Sequence, residues 1–304
     1  MLATHSWLDP FAEPRDPLED AVNSRIFEFF IASLPRSIVY RQKPGSYALI
    51  APQRSGARVL TVPGANEADF MFHGAAGEGV TPLADFISAT ILESGVDHLR
   101  LPLLNEPQAS ILKRELSVRL PNWLWAAGPS AVAPMVLRKP SKLHSSFRRA
   151  MIRAEKEGVR LERALSIDLD ELKQLHERRW GAGNRSASFF QMLRMLMDDC
   201  GAQLFTARTG DGRLVGAQLD ILGGRTRHFY YGISDKDAIP GVGTAVMGMS
   251  WSAFLAGNEV EYSFGRGAER YKYRYADGVR IMFEIWGFLA PVAQMSSSNV
   301  PTGV

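Results

Sequence analysis

The chain has 304 residues, of which 46% are apolar, 22% charged and 10% aromatic, and its formal net charge is +3. That composition can bury one large core or two ordinary ones and excludes an intrinsically disordered chain; so small a charge excess is no argument for a nucleic-acid partner. Cys200 is the only cysteine and the six histidines are scattered singly, which excludes an intramolecular disulfide and leaves no metal-ligand spacing, so no metal is expected. Residues 1–20 carry acidic residues and proline without the basic and apolar regions of a signal peptide, and no apolar run of membrane-spanning length follows. The expected location is the cytoplasm.

In chain order, residues 1–20 read as an irregular segment and an apolar helical pattern covers about 18–33. Short β-branched runs follow at 37–40, 47–50 and 58–62, then a helix from Thr81-Pro82 to Glu93, ended by Gly95. A strand at 97–101, a helix over about 106–116 and the strand-like Trp123-Leu-Trp125 complete a first unit, 21–138. Pro134, Pro140 and Arg138-Lys139 read as a break. The second unit, 139–292, opens with a basic helix at 141–157 that Gly158 closes. A strand at 159–162, helices at about 168–180 and 187–199, and strands at about 202–208, 213–222 and 226–233 come next. A helix spans 241–256, a strand 260–264, a short helix 267–275 and a last strand 279–288; residues 293–304 form a tail. The expected fold is α/β, with an α+β mixed sheet in each unit. Three meandering strands that lead into one glycine-initiated helix distinguish the second unit from a doubly wound sheet, in which β and α alternate. The first unit is a weaker copy of the same order.

Two segments carry chemistry. Pro240-Gly-Val-Gly-Thr244 opens an apolar helix. A helix N-terminus leaves backbone N–H groups without partners, and glycines let the backbone approach a pyrophosphate closely. Gly241, Val242, Gly243 and Thr244 are therefore candidate phosphate contacts, although a glycine cap on a core helix would read the same way. The second segment, Glu261 to Ala276, packs tyrosines, arginines and a lysine behind a strand end. Ligands bind at strand ends in open α/β sheets, and a tyrosine there can protonate a leaving thiolate.

Gly265-Arg-Gly-Ala-Glu-Arg-Tyr-Lys272 resembles the Gly-x-x-x-Tyr-Lys segment of the GNAT acetyltransferases associated with bacterial cellulose biosynthesis (BcsL/CelD-like). Phe147 to Gly158, His176-Glu-Arg-Arg-Trp180, Pro240-Gly-Val-Gly243 and, in the first unit, Arg58 to Gly64 with Ala68-Asp-Phe70 are similar to the same family, over roughly 25–290. The resemblance implies tandem GNAT-like domains, the first without a donor site, and transfer of an acyl group, acetyl in the first instance, from acyl-CoA to an amine or hydroxyl of a small molecule, sugar or peptide. It also implies an oxyanion held by backbone N–H groups at Tyr231, Gly232 and Ile233, a general acid at Tyr271, with Tyr273 as substitute, and Lys272 at the donor phosphates. For the base, Asp220, His228, Glu261 and Glu269 remain open, with Glu269 favoured by its place in the motif. Strict strand alternation would put His228 on one face with Tyr230, opposite Phe229 and Tyr231. His176 reads as solvent-facing. Two departures from the family pattern are Ser263, where an acidic residue is common, and Ala238, where a basic residue or glutamine is common. Such proteins are also similar to Fem-type aminoacyl-tRNA transferases, so a tRNA-dependent transferase and a non-catalytic binding protein are the alternatives. A monomer or homodimer is expected.

Overall fold

The computed structural model describes residues 39–41, 48–50, 53–54, 57–61, 80–104, 106–129, 135–183, 185, 187–223, 225–235, 237, 239–265, 269–279 and 281–290. The helix expected at 18–33 and the motif residues 266–268 lie outside them. Two compact units form, each around a mixed sheet, and the described residues hold seven helices.

In the first unit, strands β1 (Val39–Arg41), β2 (Ala48–Ile50), β3 (Gln53–Arg54) and β4 (Ala57–Thr61) are antiparallel neighbours. Helix α1 (Val80–Ser94) carries the chain to β5 (His98–Leu104), which pairs with β4 in parallel. Leu83, Ala84, Ile87 and Ile91 recur at helical spacing and are all buried, which turns α1 onto the sheet. Helix α2 (Glu106–Arg119) then leads to β6 (Trp123–Pro129). β5 and β6 do not touch as sheet neighbours. Between them lies β14 (Phe283–Leu289), the last strand of the described chain, antiparallel to both. Buried Ile285 seats it, and Arg100 grips Glu284 with both Nε and Nη2, at 3.2 and 3.1 Å.

The second unit repeats this pattern. Strand β7 (Met135–Arg138) and helix α3 (Ser145–Lys156) precede β8 (Arg160–Ala164), helices α4 (Leu169–Trp180) and α5 (Ala187–Asp199), and the meander β9 (Gln203–Arg208), β10 (Leu214–Gly223) and β11 (Thr226–Ser234). Helix α6 (Val242–Ala256) returns the chain to β12 (Glu261–Ser263), parallel to β11, and α7 (Arg270–Tyr275) leads to β13 (Gly278–Val279). Here β7 is the inserted strand, between β12 and β13. The first sheet thus takes a strand from beyond the second unit's sequence, whereas β7 directly precedes the rest of its own unit. The strand β7 was missed in the sequence because four residues beside Pro134 and Pro140 give no alternation; Met135, Val136 and Leu137 are all buried instead. Strand β10 is buried from Leu214 to Ile221 on both faces, as a strand with helices on each side must be. Helix α6 is buried nearly all round: Val242, Ala245, Val246, Met247, Ser250, Trp251 and Phe254 are all covered.

Deleting residues 283–304 will remove the strand that links β5 to β6. The expected result is a protein whose residues 80–129 lose amide-exchange protection while 145–256 keep theirs; equal protection in both would contradict the pairing.

Candidate active site

The site is built where β11 and β12 part. Their parallel pairing covers Thr226 to His228, against Glu261 to Ser263; β12 then ends while β11 runs on to Ser234. The diverging half of β11 leads straight into the glycine turn. Gly241 caps α6 with φ 86° and ψ 6°, a left-handed conformation, and no side chain among the described residues caps the helix. Among the described residues, a Cβ on Gly241 would meet nothing within 4 Å. Strand end and helix start touch: a Cβ on Gly243 would lie 2.7 Å from Ser234 Oγ. The end of β11 at Ser234 thus abuts the start of α6 at Gly243.

A β-bulge sets which side chains face which way. Leu219 pairs with Tyr231 and Asp220 with Phe229, so Tyr230 is an extra residue in β11. Strict alternation therefore fails, and the expected faces are corrected. Phe229 packs against the cluster that includes Met247, Trp251 and Phe254 of α6, whereas Tyr230 and Tyr231 turn to the α4–α5 side. The Tyr230 hydroxyl reaches Met192 Sδ at 3.4 Å. Tyr231 stacks on His176 with a 3.0 Å hydrogen bond between its hydroxyl and Nδ1, and meets Phe189 edge-on. Burial pushes the Tyr231 phenol well above its ordinary range. Gly232 is left exposed on the other face, under the Phe229 ring: a Cβ there would come within 2.5 Å of Phe229 Cζ.

His176 is thus buried, not solvent-facing. Leu172, Leu175 and His176 share one buried face of α4, and that i, i+3, i+4 spacing was the available signal. His228 is also buried, in register with Ser263. It precedes the bulge and pairs with Ile221, while Tyr271 packs on the Phe229 cluster, so these two candidates belong to opposite faces of the sheet. On α7, Glu269 is exposed and Lys272 is buried. The Lys272 ammonium donates to the Gly265 carbonyl at 3.3 Å and pairs with Glu269 Oε2 at 2.9 Å. Lys272, expected at the donor phosphates, is turned inward.

Beneath the site lies a polar network absent from the sequence reading. Asp220, fully buried, accepts from Gln218 Nε2 (2.7 Å), Ser250 Oγ and Arg227 Nη1 (3.4 Å). Arg227 also pairs with Glu259 through Nη2 at 2.6 Å and donates to Gln203. The Tyr262 hydroxyl joins through Gln218 and Ser250 at 2.9 Å each. Burial pushes the Asp220 carboxyl above the ordinary carboxylate range, against the pull of Arg227 and the Ser250 and Gln218 donors. Of the open candidates for a base, Asp220 is therefore committed to the core.

A meander, a parallel pair that splays, and a glycine-opened helix at the splay define the GNAT type of acyltransferase fold. In agreement, residues 141–273 match the profile of the acetyltransferase (GNAT) domain. No curated protein matches the sequence. Among solved structures, L-PGS from Bacillus licheniformis is similar, with a TM-score of 0.60 at 11% identity, over 93% of this chain and 95% of that one. The C-terminal domain of a putative lysylphosphatidylglycerol synthetase from Agrobacterium fabrum gives 0.59 at 9% identity, over 88% and 92%. FemX gives 0.54 at 12% identity, over 88% and 94%. At these identities the likeness is one of fold, and it extends across both units.

Proposed function

We propose that the second unit is an acyl-CoA-dependent N- or O-acyltransferase, acting by direct attack in a ternary complex. The observation that carries this reading is the open, uncapped start of α6 beside the splayed end of β11, where a pyrophosphate can accept from backbone N–H groups. The Gly-x-x-x-Tyr-Lys segment supports a place near the cellulose-biosynthesis-associated branch of the acetyltransferases. Acetyl is the simplest acyl group for it to carry.

In this mechanism the thioester carbonyl sits between the strands, and its carbon is attacked by the acceptor nitrogen or oxygen. Backbone N–H groups near Tyr231 to Ile233 stabilise the oxyanion. The C–S bond breaks and the Tyr271 hydroxyl gives its proton to the leaving thiolate. The acceptor's own proton passes to a base, for which exposed Glu269 is better placed than buried His228.

The likeness to FemX and to a lysylphosphatidylglycerol synthetase supports a second donor, an aminoacyl-tRNA. Calorimetry separates the two. One acetyl-CoA bound per chain is expected; no binding of acetyl-CoA or longer acyl-CoAs, together with tRNA-dependent turnover, would replace the first reading by the second. With the donor established, Tyr271→Phe should lower turnover about 100-fold, the low end of general-acid contributions, with unchanged CoA affinity. Unaltered turnover would remove Tyr271 as the acid.

A further inference from the structure

The surface helices of this protein mostly pair their cations. Arg119 of α2 lies 2.7 Å from Glu115, Arg178 of α4 is 3.7 Å from Asp235, and Lys173 of α4 is 3.9 Å from Glu177. Helix α3 does not. Arg148, Arg149, Arg153 and Lys156 are all exposed, and none has a carboxylate partner among the described residues. Their spacing, with Arg149 and Arg153 four apart and Arg153 and Lys156 three apart, stacks like charges on one face, which works against the helix itself. Two of the four stand near the N-terminal end, where the helix dipole also disfavours cations. Glu155 and Glu157 offset part of this charge, but only at the C-terminal end.

Phe147 and Ala154 bury the opposite face, with Phe147 against Trp251 of α6, so the cationic face looks away from the core. The outer face of α7 adjoins it. The Tyr275 hydroxyl meets Ser146 Oγ at 3.0 Å and its ring packs on Phe147, while Arg270 and Arg274, also exposed and without a carboxylate partner, extend the charge. Apolar groups stand among these cations: Ile152, in the middle of the α3 face, is 45% exposed and Tyr273 is 63% exposed.

We propose that this face, the solvent side of α3 with the outer side of α7, docks on an anionic lipid bilayer. Lipid phosphates complement the unpaired guanidinium groups, whose stems let the charged heads reach the headgroup plane. Ile152 and Tyr273 decide the choice of partner. An aliphatic side chain at the centre of the stripe gains nothing from a phosphodiester strand but loses water on entering the headgroup region. The proposal uses no residue of the donor turn and stands independently of the acyl-CoA reading.

The test is co-sedimentation of the full chain with vesicles of phosphatidylcholine alone and of phosphatidylcholine mixed with phosphatidylglycerol. Binding is expected only to the mixed vesicles and is expected to fall as salt rises. Arg148→Gln and Arg149→Gln should each weaken the partition about fivefold, and together about 25-fold, while Ile152→Ser should weaken it at unchanged charge. All these positions are exposed, so unaltered circular dichroism is expected of each variant. Failure of the wild-type chain to bind mixed vesicles, equal binding to both kinds, or binding that both the double arginine variant and Ile152→Ser leave untouched would overturn the proposal. Binding of tRNA by this face without vesicle binding would overturn it in favour of nucleic acid.

Discussion

Arg227→Met is expected to destabilise the second unit by about 3–5 kcal/mol, the cost of leaving buried charge without its partner. The arginine is 2% exposed and stands between Asp220 and Glu259, which are buried as well. Urea unfolding followed by circular dichroism gives the measurement. Its pH dependence gives a second one. Burial already holds the Asp220 carboxyl above its unfolded value of 3.8, so the folded state takes up a proton there at a pH where the unfolded chain does not. Such a group loses stability for the fold as pH rises through that window. Removing Arg227 removes the main opposing pull, which moves the window upward and makes the variant's deficit smaller in mild acid than at neutrality. Asp220→Asn in the Arg227→Met background should recover part of the loss. A deficit below 1 kcal/mol, or one that grows on acidification, would show that the network contributes little.

Gly241→Val is expected to weaken acetyl-CoA binding at least about tenfold, which is the loss of a single well-placed interaction. At φ 86° the valine would incur a backbone penalty of about 1–2 kcal/mol. The helix start would shift to relieve it, carrying the N–H groups of Gly243 and Thr244 off the phosphates. Among the described residues nothing lies within 4 Å of the missing Cβ, so the conformation is what matters. Gly241→Asn is the control, because asparagine tolerates the left-handed region. It should retain most of the affinity in calorimetry. If valine binds the donor as the wild type does, the glycine turn is not the phosphate cradle.

Much of the second unit was legible because periodicity breaks cleanly at glycines. The meander was expected at about 202–208, 213–222 and 226–233 and lies at Gln203–Arg208, Leu214–Gly223 and Thr226–Ser234. The helix expected from 241 to 256 begins one residue later. Features that depend on register were not legible. One extra residue, Tyr230, leaves no mark in composition, yet it reverses the facing of every side chain beyond it, which is why Phe229 and Tyr231 were misplaced relative to each other. The pairing of Arg227 with Asp220 and Glu259 likewise needs three elements aligned, and no local pattern announces it. Strand β7 was too short and too uniformly apolar to alternate. For the site, the glycine turn was found by its place in the chain, whereas the inward turn of Lys272 depends on the Gly265 carbonyl that only the fold brings near.

The insertion of β14 between β5 and β6 has a consequence for how the protein is made. By the time Val279 has left the ribosome, every strand of the second sheet exists, so that sheet can close first although its sequence comes later. The first sheet must wait for Phe283–Leu289, with β5 and β6 each offering an open edge to the surroundings. At about 5–20 residues per second, the interval between Pro129 and Phe283 lasts roughly 10–30 s. During it the nascent N-terminal half is a partner for any free strand, and conditions that slow elongation should send this chain into aggregates through residues 98–129 rather than through residues 135–279.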